Sequence, residues 1–265
     1  MLTRIITGLV LLVVILTGIF YLPERQFVWI AIIIVGLAAW EYAALMWQHN
    51  WLKIGVFLGI FLVISVIEKM LPVSIVLFCG VAWWVLAPVF LWHYTRTQRF
   101  LFSNWSYQLG MGLVMFIAFL VSLIALRRYF GIAYLLCGLS IVWAMDIGAY
   151  FAGKTWGRHL LAVVISPKKT IEGLIGGLFL SLAVAIGWGI RFEIRGIAWL
   201  LWITLTLVVA LWSVIGDLFE SIVKRYVGAK DSGNVLPGHG GIYDRVDSLI
   251  AALPIFVFSL LFLKL

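Results

Sequence analysis

Acidic, basic and hydroxyl side chains are concentrated near the carboxyl end of this sequence. Five of its eleven carboxylates fall within residues 217–247, together with four Lys or Arg side chains and one histidine. The stretch opens with a polar stripe at the spacing i, i+3, i+4 and i+7: Asp217, Glu220, Ser221 and Lys224. That spacing places all four side chains on one helix face. Carboxylate oxygens suit Mg²⁺, so the stripe predicts a cation site or, more simply, a solvated helix end with intrahelical ion pairs.

A loop rich in glycine and proline follows the stripe, at residues 230–241. Glycines such as Gly240 and Gly241 lack a Cβ, so backbone N–H groups there can approach phosphate oxygens closely. His239 stands between two glycines, where it can bind a metal ion, protonate a leaving phosphate or hold the loop. The loop is therefore a candidate phosphate site, with the role of its histidine open.

Further carboxylates lie after this loop or inside apolar segments. Asp244 and Asp247 share a helix face if the last helix begins early, although Asp247 is equally suited to cap that helix. Asp146 lies inside an apolar segment, where an ionisable side chain indicates function. Glu41 is in a comparable position, but pairing with another helix would also explain it.

A second polar segment reads Ser166-Pro-Lys-Lys-Thr170. Lys168 and Lys169, with the flanking hydroxyls, can bind phosphates just before a helix N-terminus, which itself favours anions. The simpler interpretation is an anchor of basic residues beside a membrane. Both interpretations place this segment at a membrane surface.

The elements that must position these groups follow from composition. The chain has 265 residues, of which 65% are hydrophobic and 11% charged, against roughly 25% charged in an ordinary soluble domain. This composition excludes a soluble enzyme, a disordered chain and a nucleic-acid-binding domain. It also argues against an outer-membrane barrel, whose strands would alternate apolar and polar residues. The sequence therefore predicts an all-α, polytopic integral membrane protein.

Nine apolar segments are long enough to be candidate membrane helices. They are residues 5–22, 27–47, 53–67, 71–92, 109–126, 131–152, 171–191, 196–215 and 248–265. We divide the chain into N-terminal transmembrane helices (1–130) and a C-terminal catalytic transmembrane region (131–265). The two long loops of the second region, 153–170 and 216–247, are separated by two spans, so they lie on the same side of the membrane.

The basic residues predict the orientation. If each segment crosses the membrane, twelve Lys and Arg residues fall on the side of the N-terminus and seven on the other. Since cytoplasmic loops carry the excess of basic residues, the N-terminus is predicted to be cytoplasmic and the C-terminus outside. Both long loops are then cytoplasmic. The first apolar run lacks a small-x-small cleavage site, which favours a retained helix over a signal peptide.

The residues from Ser221 to Asp247 closely resemble the signature of phosphatidate cytidylyltransferases, also called CDP-diglyceride synthases. That signature is Ser, Lys-Arg, four residues, Lys-Asp, a spaced small residue, Pro-x-His-Gly-Gly and Asp-Arg-x-Asp. Every fixed position is matched across 27 residues. The Ser166–Thr170 segment, the surroundings of Asp146, the length and the order of motifs are also similar to that family.

The resemblance implies transfer of CMP from CTP to phosphatidic acid, which gives CDP-diacylglycerol and pyrophosphate in phospholipid biosynthesis. It also implies Mg²⁺ and a second cation, held by Asp217 and Asp244, with Asp146 and Glu220 as further candidate ligands. The residues implied in catalysis are Asp217, Lys224, His239, Asp244 and Asp247. The residues implied in substrate binding are Ser166, Lys168, Lys169, Thr170, Arg225, Lys230, Asp231, Gly240, Gly241 and Arg245.

The resemblance also implies partners and a location. The expected partners are CTP, phosphatidic acid, membrane lipids and a second copy of the chain in a homodimer, with no nucleic acid. The expected location is the cytoplasmic (inner) membrane of a bacterium, with the active site at the cytoplasmic face. CTP is cytosolic and phosphatidate lies in the cytoplasmic leaflet, so a site at that face can receive both.

Two other functions are compatible with a polytopic membrane protein. A CDP-alcohol phosphatidyltransferase would carry an Asp-Gly-x-x-Ala-Arg pattern followed by Gly and two further aspartates, which this sequence lacks. An ion-coupled transporter would place charged groups near the middle of its spans. Only Glu41 and Asp146 come close to such positions, so the sequence favours the membrane transferase.

Overall fold

A computed structural model of the chain describes residues 2–48, 50–233, 235 and 240–263. His239, which the sequence analysis singled out, lies outside these residues. The helices of the described part are α1 (Leu2–Tyr21), α2 (Glu24–Trp47), α3 (Trp51–Val66), α4 (Val73–Thr97), α5 (Trp105–Ala125), α6 (Gly131–Trp156), α7 (Ile171–Arg191), α8 (Ala198–Tyr226) and α9 (Tyr243–Leu263). A 3₁₀ turn at Glu68–Met70 follows α3, and a π-helical turn at Leu126–Phe130 joins α5 to α6. Two short strands, β1 (Leu160–Ala162) and β2 (Ser166–Thr170), lie between α6 and α7.

The described part is mainly helical, and its strands form one small hairpin, which confirms the all-α class. Each of the nine predicted apolar segments corresponds to one of the helices α1–α9. Among the residues that the structure describes, six helical segments are long and apolar enough to cross a membrane. One of them is the continuous stretch Trp105–Trp156, which contains both α5 and α6, while the apolar helices Leu12–Tyr21 and Trp51–Val66 are shorter. The count of nine crossings therefore stays a prediction.

The segment 216–247, which the sequence analysis treats as a loop, is helical at both of its ends. Helix α8 continues past residue 215 to Tyr226, and α9 begins at Tyr243. The polar stripe explains the longer α8, because Glu220 and Lys224 form an i,i+4 ion pair on its last turns. Residues 227–242 are left between the two helices.

The segment 153–170 contains a β-hairpin that the sequence analysis did not predict. Strand β1 pairs antiparallel with β2, with Leu160 opposite Thr170. At the base of the hairpin, Glu172 Oε2 accepts the backbone N–H groups of Arg158 at 3.0 Å and His159 at 3.2 Å. The other carboxylate oxygen of Glu172 lies 2.6 Å from Nδ1 of His159. These bonds hold the start of the hairpin against the first turn of α7, and β1 in turn pairs with the strand that carries the two adjacent lysines.

Two close contacts between helices align the elements that carry the polar groups. A Cβ on Gly216 of α8 would lie 2.5 Å from the carbonyl oxygen of Asp247 on α9. A Cβ on Gly148 of α6 would lie 2.7 Å from the carbonyl oxygen of Gly176 on α7. Only glycine allows helix backbones to approach so closely. The first contact places Asp217, the next residue of α8, beside the start of α9.

The opposite end of the helix bundle is held by an ion-pair cluster. Arg128, in the turn after α5, bonds Glu24 at 2.8 Å and Glu68 at 3.2 Å. This cluster joins the start of α2, the turn after α3 and the end of α5. Glu24 and Glu41 lie near opposite ends of α2, about 25 Å apart at 1.5 Å per residue. The Arg128 cluster is therefore remote from the groups around Glu41.

Candidate active site

A cavity of about 520 Å³ opens where α6, the hairpin, α7, α8 and α9 meet. It brings together the two polar segments of the sequence and the carboxylate of α6. The charged residues of its lining are Asp146, Lys154, Lys168, Lys169, Asp217, Asp244, Arg245 and Asp247. Apolar side chains, including Leu161, Leu174 and Val214, complete the wall. Such a cavity suits an anionic, partly apolar ligand that binds together with a cation.

Three carboxylates converge at the contact between α8 and α9. One oxygen from each of Asp217, Glu220 and Asp247 lies within 4.8 Å of the other two. Asp217 and Glu220 are one turn apart on α8, and the close approach at Gly216 brings Asp247 beside them. The stripe predicted from residue spacing therefore does lie on one helix face, and it faces a third carboxylate rather than solvent alone.

Lys224 connects this cluster to Asp244. Its Nζ lies 2.5 Å from Glu220 Oε2 and 2.8 Å from Asp244 Oδ1. The other oxygen of Asp244 accepts the backbone N–H groups of Ser232 at 2.9 Å and Gly241 at 2.8 Å. Asp244 thus binds both sides of the glycine-rich loop, while Lys224 neutralises two carboxylates at once.

The hairpin brings basic side chains to the same cavity. Lys169 Nζ lies 2.5 Å from Asp217 Oδ2, so β2 and α8 meet through this ion pair. Lys168, one residue earlier, lines the cavity and is exposed. Thr170 ends β2, and its hydroxyl oxygen accepts the N–H of Gly173 at 3.1 Å, which caps α7. Phosphate groups entering here would meet two ammonium groups beside a helix N-terminus.

The sequence model of the cytidylyltransferase family matches residues 2–263 of the chain. This chain belongs to that family. The match covers nearly all of the sequence, including the helices ahead of the cavity.

Individual relatives carry a more specific name. A phosphatidate cytidylyltransferase of Pseudomonas aeruginosa is 38% identical over 256 residues, which cover 96% of this chain and 94% of the relative. One of Haemophilus influenzae is 33% identical over 290 residues, covering 98% of each chain. One of Staphylococcus aureus is 50% identical over 125 residues, covering 47% of this chain and 48% of the relative. The family resemblance inferred from the signature is confirmed.

The carboxylate cluster of this family member fits a divalent cation. Glu220 is buried, and its Oε1 has no hydrogen-bond partner among the residues that the structure describes. A buried carboxylate oxygen without a donor is costly unless a cation or a proton compensates it. The donor set is made only of carboxylate oxygens, which favours Mg²⁺ over softer metals. Asp217, Glu220 and Asp247 are thus suited to hold such an ion.

Several predicted substrate-binding residues are not in the cavity lining. Nε of Arg225 donates to the carbonyl oxygen of Ile165 at 3.4 Å, which ties α8 to the hairpin. Lys230 and Asp231 are exposed on the loop. Ser166 is opposite Ala162 in the hairpin. These residues lie at the end of α8, in the loop and in the hairpin, and their roles in binding stay predictions.

The glycines of the loop have clear local roles. Gly240 has φ of +82°, a conformation that strains any other residue. Gly241 donates its N–H to Asp244, as above. The two glycines let the chain turn back and place backbone donors on Asp244.

The structure adds functional candidates that the sequence analysis missed. Lys154 lines the cavity, Glu172 closes the hairpin, and Ser232 contacts Asp244. A glutamate in the first turn of a helix is a recognisable signal, so Glu172 could have been found. The partners of Glu41 had no local signal: they are Ser232 and Tyr243, more than 190 residues away in the chain.

Proposed function

We propose that this protein is a phosphatidate cytidylyltransferase, which converts CTP and phosphatidic acid to CDP-diacylglycerol and pyrophosphate. The observation that carries this proposal is the cavity in which lysines, an arginine and four carboxylates meet beside an apolar wall. The curated relatives from Pseudomonas aeruginosa and Haemophilus influenzae bear that name, and this chain aligns with nearly their whole length. The basic side chains suit the phosphates of both substrates, and the apolar wall suits the lipid.

The reaction is a direct nucleotidyl transfer, in which CMP moves to the lipid without a covalent enzyme intermediate. A phosphate oxygen of phosphatidate attacks the α-phosphorus of CTP, and the bond to the β-phosphate oxygen breaks, so that pyrophosphate leaves with the bonding electrons. The protein contributes positioning and neutralisation of charge rather than a nucleophile. Lys168, Lys169 and Arg245, all in the lining, are the groups that we assign to the phosphates.

Asp217, Glu220 and Asp247 would hold Mg²⁺. The ion would neutralise phosphate oxygens and orient the two substrates when bound. Asp244, held by Lys224 and the loop, and Asp146 line the same cavity, and they are the further carboxylates that we assign to a second cation. Their positions allow them to orient metal-bound water or lysines if they are not ligands themselves.

We further propose that the cavity faces the cytoplasm and that the chain crosses the bacterial inner membrane nine times as a homodimer. The orientation is supported by the excess of basic residues on the side of the two long connections. The hairpin and the start of α9, which directly follows the glycine-rich loop, line one cavity, as expected if the two connections lie on the same side. The apolar wall of Leu161, Leu174 and Val214 would contact the lipid next to its phosphate.

The proposal is tested with purified protein, CTP, phosphatidic acid in mixed micelles and Mg²⁺. We expect CDP-diacylglycerol and pyrophosphate in equal amounts, no turnover with EDTA, and recovery on adding excess Mg²⁺. A parallel reaction with CDP-diacylglycerol and an alcohol substrate tests the phosphatidyltransferase alternative. Product in that reaction, or no CTP-dependent product in the first, would overturn the proposal.

A further inference from the structure

Glu41 is a buried carboxylate that is not in the lining of the cavity. It lies near the end of α2 and is 1% exposed. Its Oε2 accepts a hydrogen bond from the Ser232 hydroxyl at 2.9 Å and another from the backbone N–H of Tyr243 at 2.8 Å. Ser232 lies near the start of the glycine-rich loop, and Tyr243 begins α9 just after it. A single carboxylate from a distant helix therefore binds the two ends of the loop.

The loop is built to admit this carboxylate. A Cβ on Gly233 would lie 2.6 Å from Glu41 Oε1, and a Cβ on Gly241 would overlap both the Glu41 carboxylate and the Ser232 hydroxyl. Neither glycine has a positive φ, so conformational freedom does not account for them. Both glycines are instead explained by the space that Glu41 needs, because the loop backbone packs directly against its carboxylate.

The contact continues to a residue of the active site. The Ser232 hydroxyl lies 2.9 Å from Asp244 Oδ2 as well as from Glu41, and it accepts the N–H of Asp244 at 3.3 Å. The hydroxyl has only one proton, so when it donates that proton to Glu41, its oxygen can still accept the backbone N–H of Asp244. Glu41 thus reaches the cavity through one intervening side chain.

Aromatic packing keeps the anchor away from water. Tyr42 and Tyr243 are fully buried, with ring centroids 6.1 Å apart, and Phe116 packs 5.5 Å from the Tyr243 ring. In such surroundings, hydrogen bonds to a carboxylate are strong, and an unmatched group is costly. The site at Glu41 therefore favours one arrangement of Ser232 and Tyr243, at the two ends of the loop.

We propose that Glu41 is a positioning residue: its carboxylate holds Ser232 and Tyr243 in place and so orients Asp244 for the reaction. The effect of Glu41 on turnover rests on the proposed function. Its effect on the conformation of the loop does not.

Two variants distinguish the negative charge of Glu41 from its ability to accept hydrogen bonds. Glu41→Ala removes both hydrogen bonds to the loop. Glu41→Gln keeps a carbonyl oxygen that can accept from Ser232 and Tyr243. Glu68→Gln is the matched control, because Glu68 is another buried carboxylate, bound to Arg128 at the opposite end of the bundle.

The first measurement is hydrogen–deuterium exchange of the purified protein without substrates. We expect the amides of residues 232–244 to exchange at least about tenfold faster in Glu41→Ala, at near wild-type rates in Glu41→Gln, and unchanged in Glu68→Gln. Ser232→Ala removes only a hydroxyl and should also speed the exchange of residues 232–244. It therefore replaces Glu41→Ala as the test variant if Glu41→Ala does not fold. Unchanged exchange in both Glu41→Ala and Ser232→Ala would overturn the inference.

The second measurement is kinetic. We expect Glu41→Ala to lower kcat by about 10–100-fold, the range found when a group that orients a metal ligand is lost, with the KM for phosphatidate within about twofold. Glu41→Gln should restore most of kcat. The double variant with Ser232→Ala should lose no more than the worse single variant, because both act through one contact.

Additive losses, or a loss in Glu68→Gln equal to that in Glu41→Ala, would show a general effect on stability and overturn the positioning role. If the wild-type protein forms no CDP-diacylglycerol, the proposed function fails instead. The exchange measurement then still decides whether Glu41 holds the loop.

Discussion

Two lysines pair with three carboxylates of the site. Lys169 pairs with Asp217, and Lys224 bridges Glu220 and Asp244. A cation bound at the carboxylate cluster would compete with Lys169 for Asp217. The ammonium group would then be available for a phosphate oxygen a few ångströms away. At the scale of single residues, metal and nucleotide binding are therefore expected to support each other.

Replacing Asp217 with Asn tests this coupling. The change removes one charge from the cluster and the partner of Lys169, while the side chain keeps its shape and is partly exposed. We expect turnover to fall by on the order of 10²-fold or more, with little change in the thermal midpoint. Turnover is measured over a range of Mg²⁺ concentrations.

The control for Asp217→Asn is Glu193→Gln, which alters an exposed carboxylate in the turn between α7 and α8. It should behave as the wild type. Near-normal turnover in Asp217→Asn at every Mg²⁺ concentration would contradict the assignment of this residue to the metal site.

At the scale of elements, the hairpin holds the adjacent lysines at the cavity. Its base depends on Glu172, which accepts two backbone N–H groups and contacts the His159 ring. Glu172→Ala removes these contacts without touching the cavity lining. We expect turnover to fall about tenfold, mainly through a higher KM for CTP, with a normal thermal midpoint. Limited proteolysis between residues 157 and 170 should become faster in this variant, and unchanged proteolysis and KM would contradict the role.

The contact of α8 with α9 is the second element-scale determinant. In Gly216→Ala, the new Cβ would fall 2.5 Å from the carbonyl oxygen of Asp247 and 2.9 Å from the Ala251 Cβ. The helices must separate, so we expect a loss of stability of about 1–3 kcal/mol and a larger loss of turnover, because the carboxylates move apart. Thermal unfolding and CDP-diacylglycerol formation measure the two effects.

Gly187→Ala in α7 is the matched control for Gly216→Ala, since nothing lies within 4 Å of a Cβ at that position. An alanine there should be neutral or slightly stabilising. Equal effects of the two substitutions would mean that helix propensity, rather than close packing, sets the result.

At the scale of the whole molecule, local patterns predict some features and not others. Long apolar runs predict the helices, and the period of the Asp217–Lys224 stripe predicts that α8 continues beyond the apolar run. The hairpin has strands of three and five residues with an irregular register, which is too short for a pattern to emerge. The bond from Glu41 to Ser232 joins residues 191 positions apart, so it depends on tertiary packing alone.

The orientation of the molecule is tested by labelling single cysteines. In a background with Cys79→Ser and Cys137→Ala, Val164→Cys places a thiol in the exposed turn of the hairpin, and Arg195→Cys places one in the exposed turn between α7 and α8. Helix α7 has 21 residues, a length of about 30 Å, which matches the hydrocarbon core of a bilayer. In intact spheroplasts, a membrane-impermeant thiol reagent should label position 195, and position 164 only after permeabilisation. Labelling of position 164 from outside would show the opposite orientation, in which cytosolic CTP could not reach the cavity.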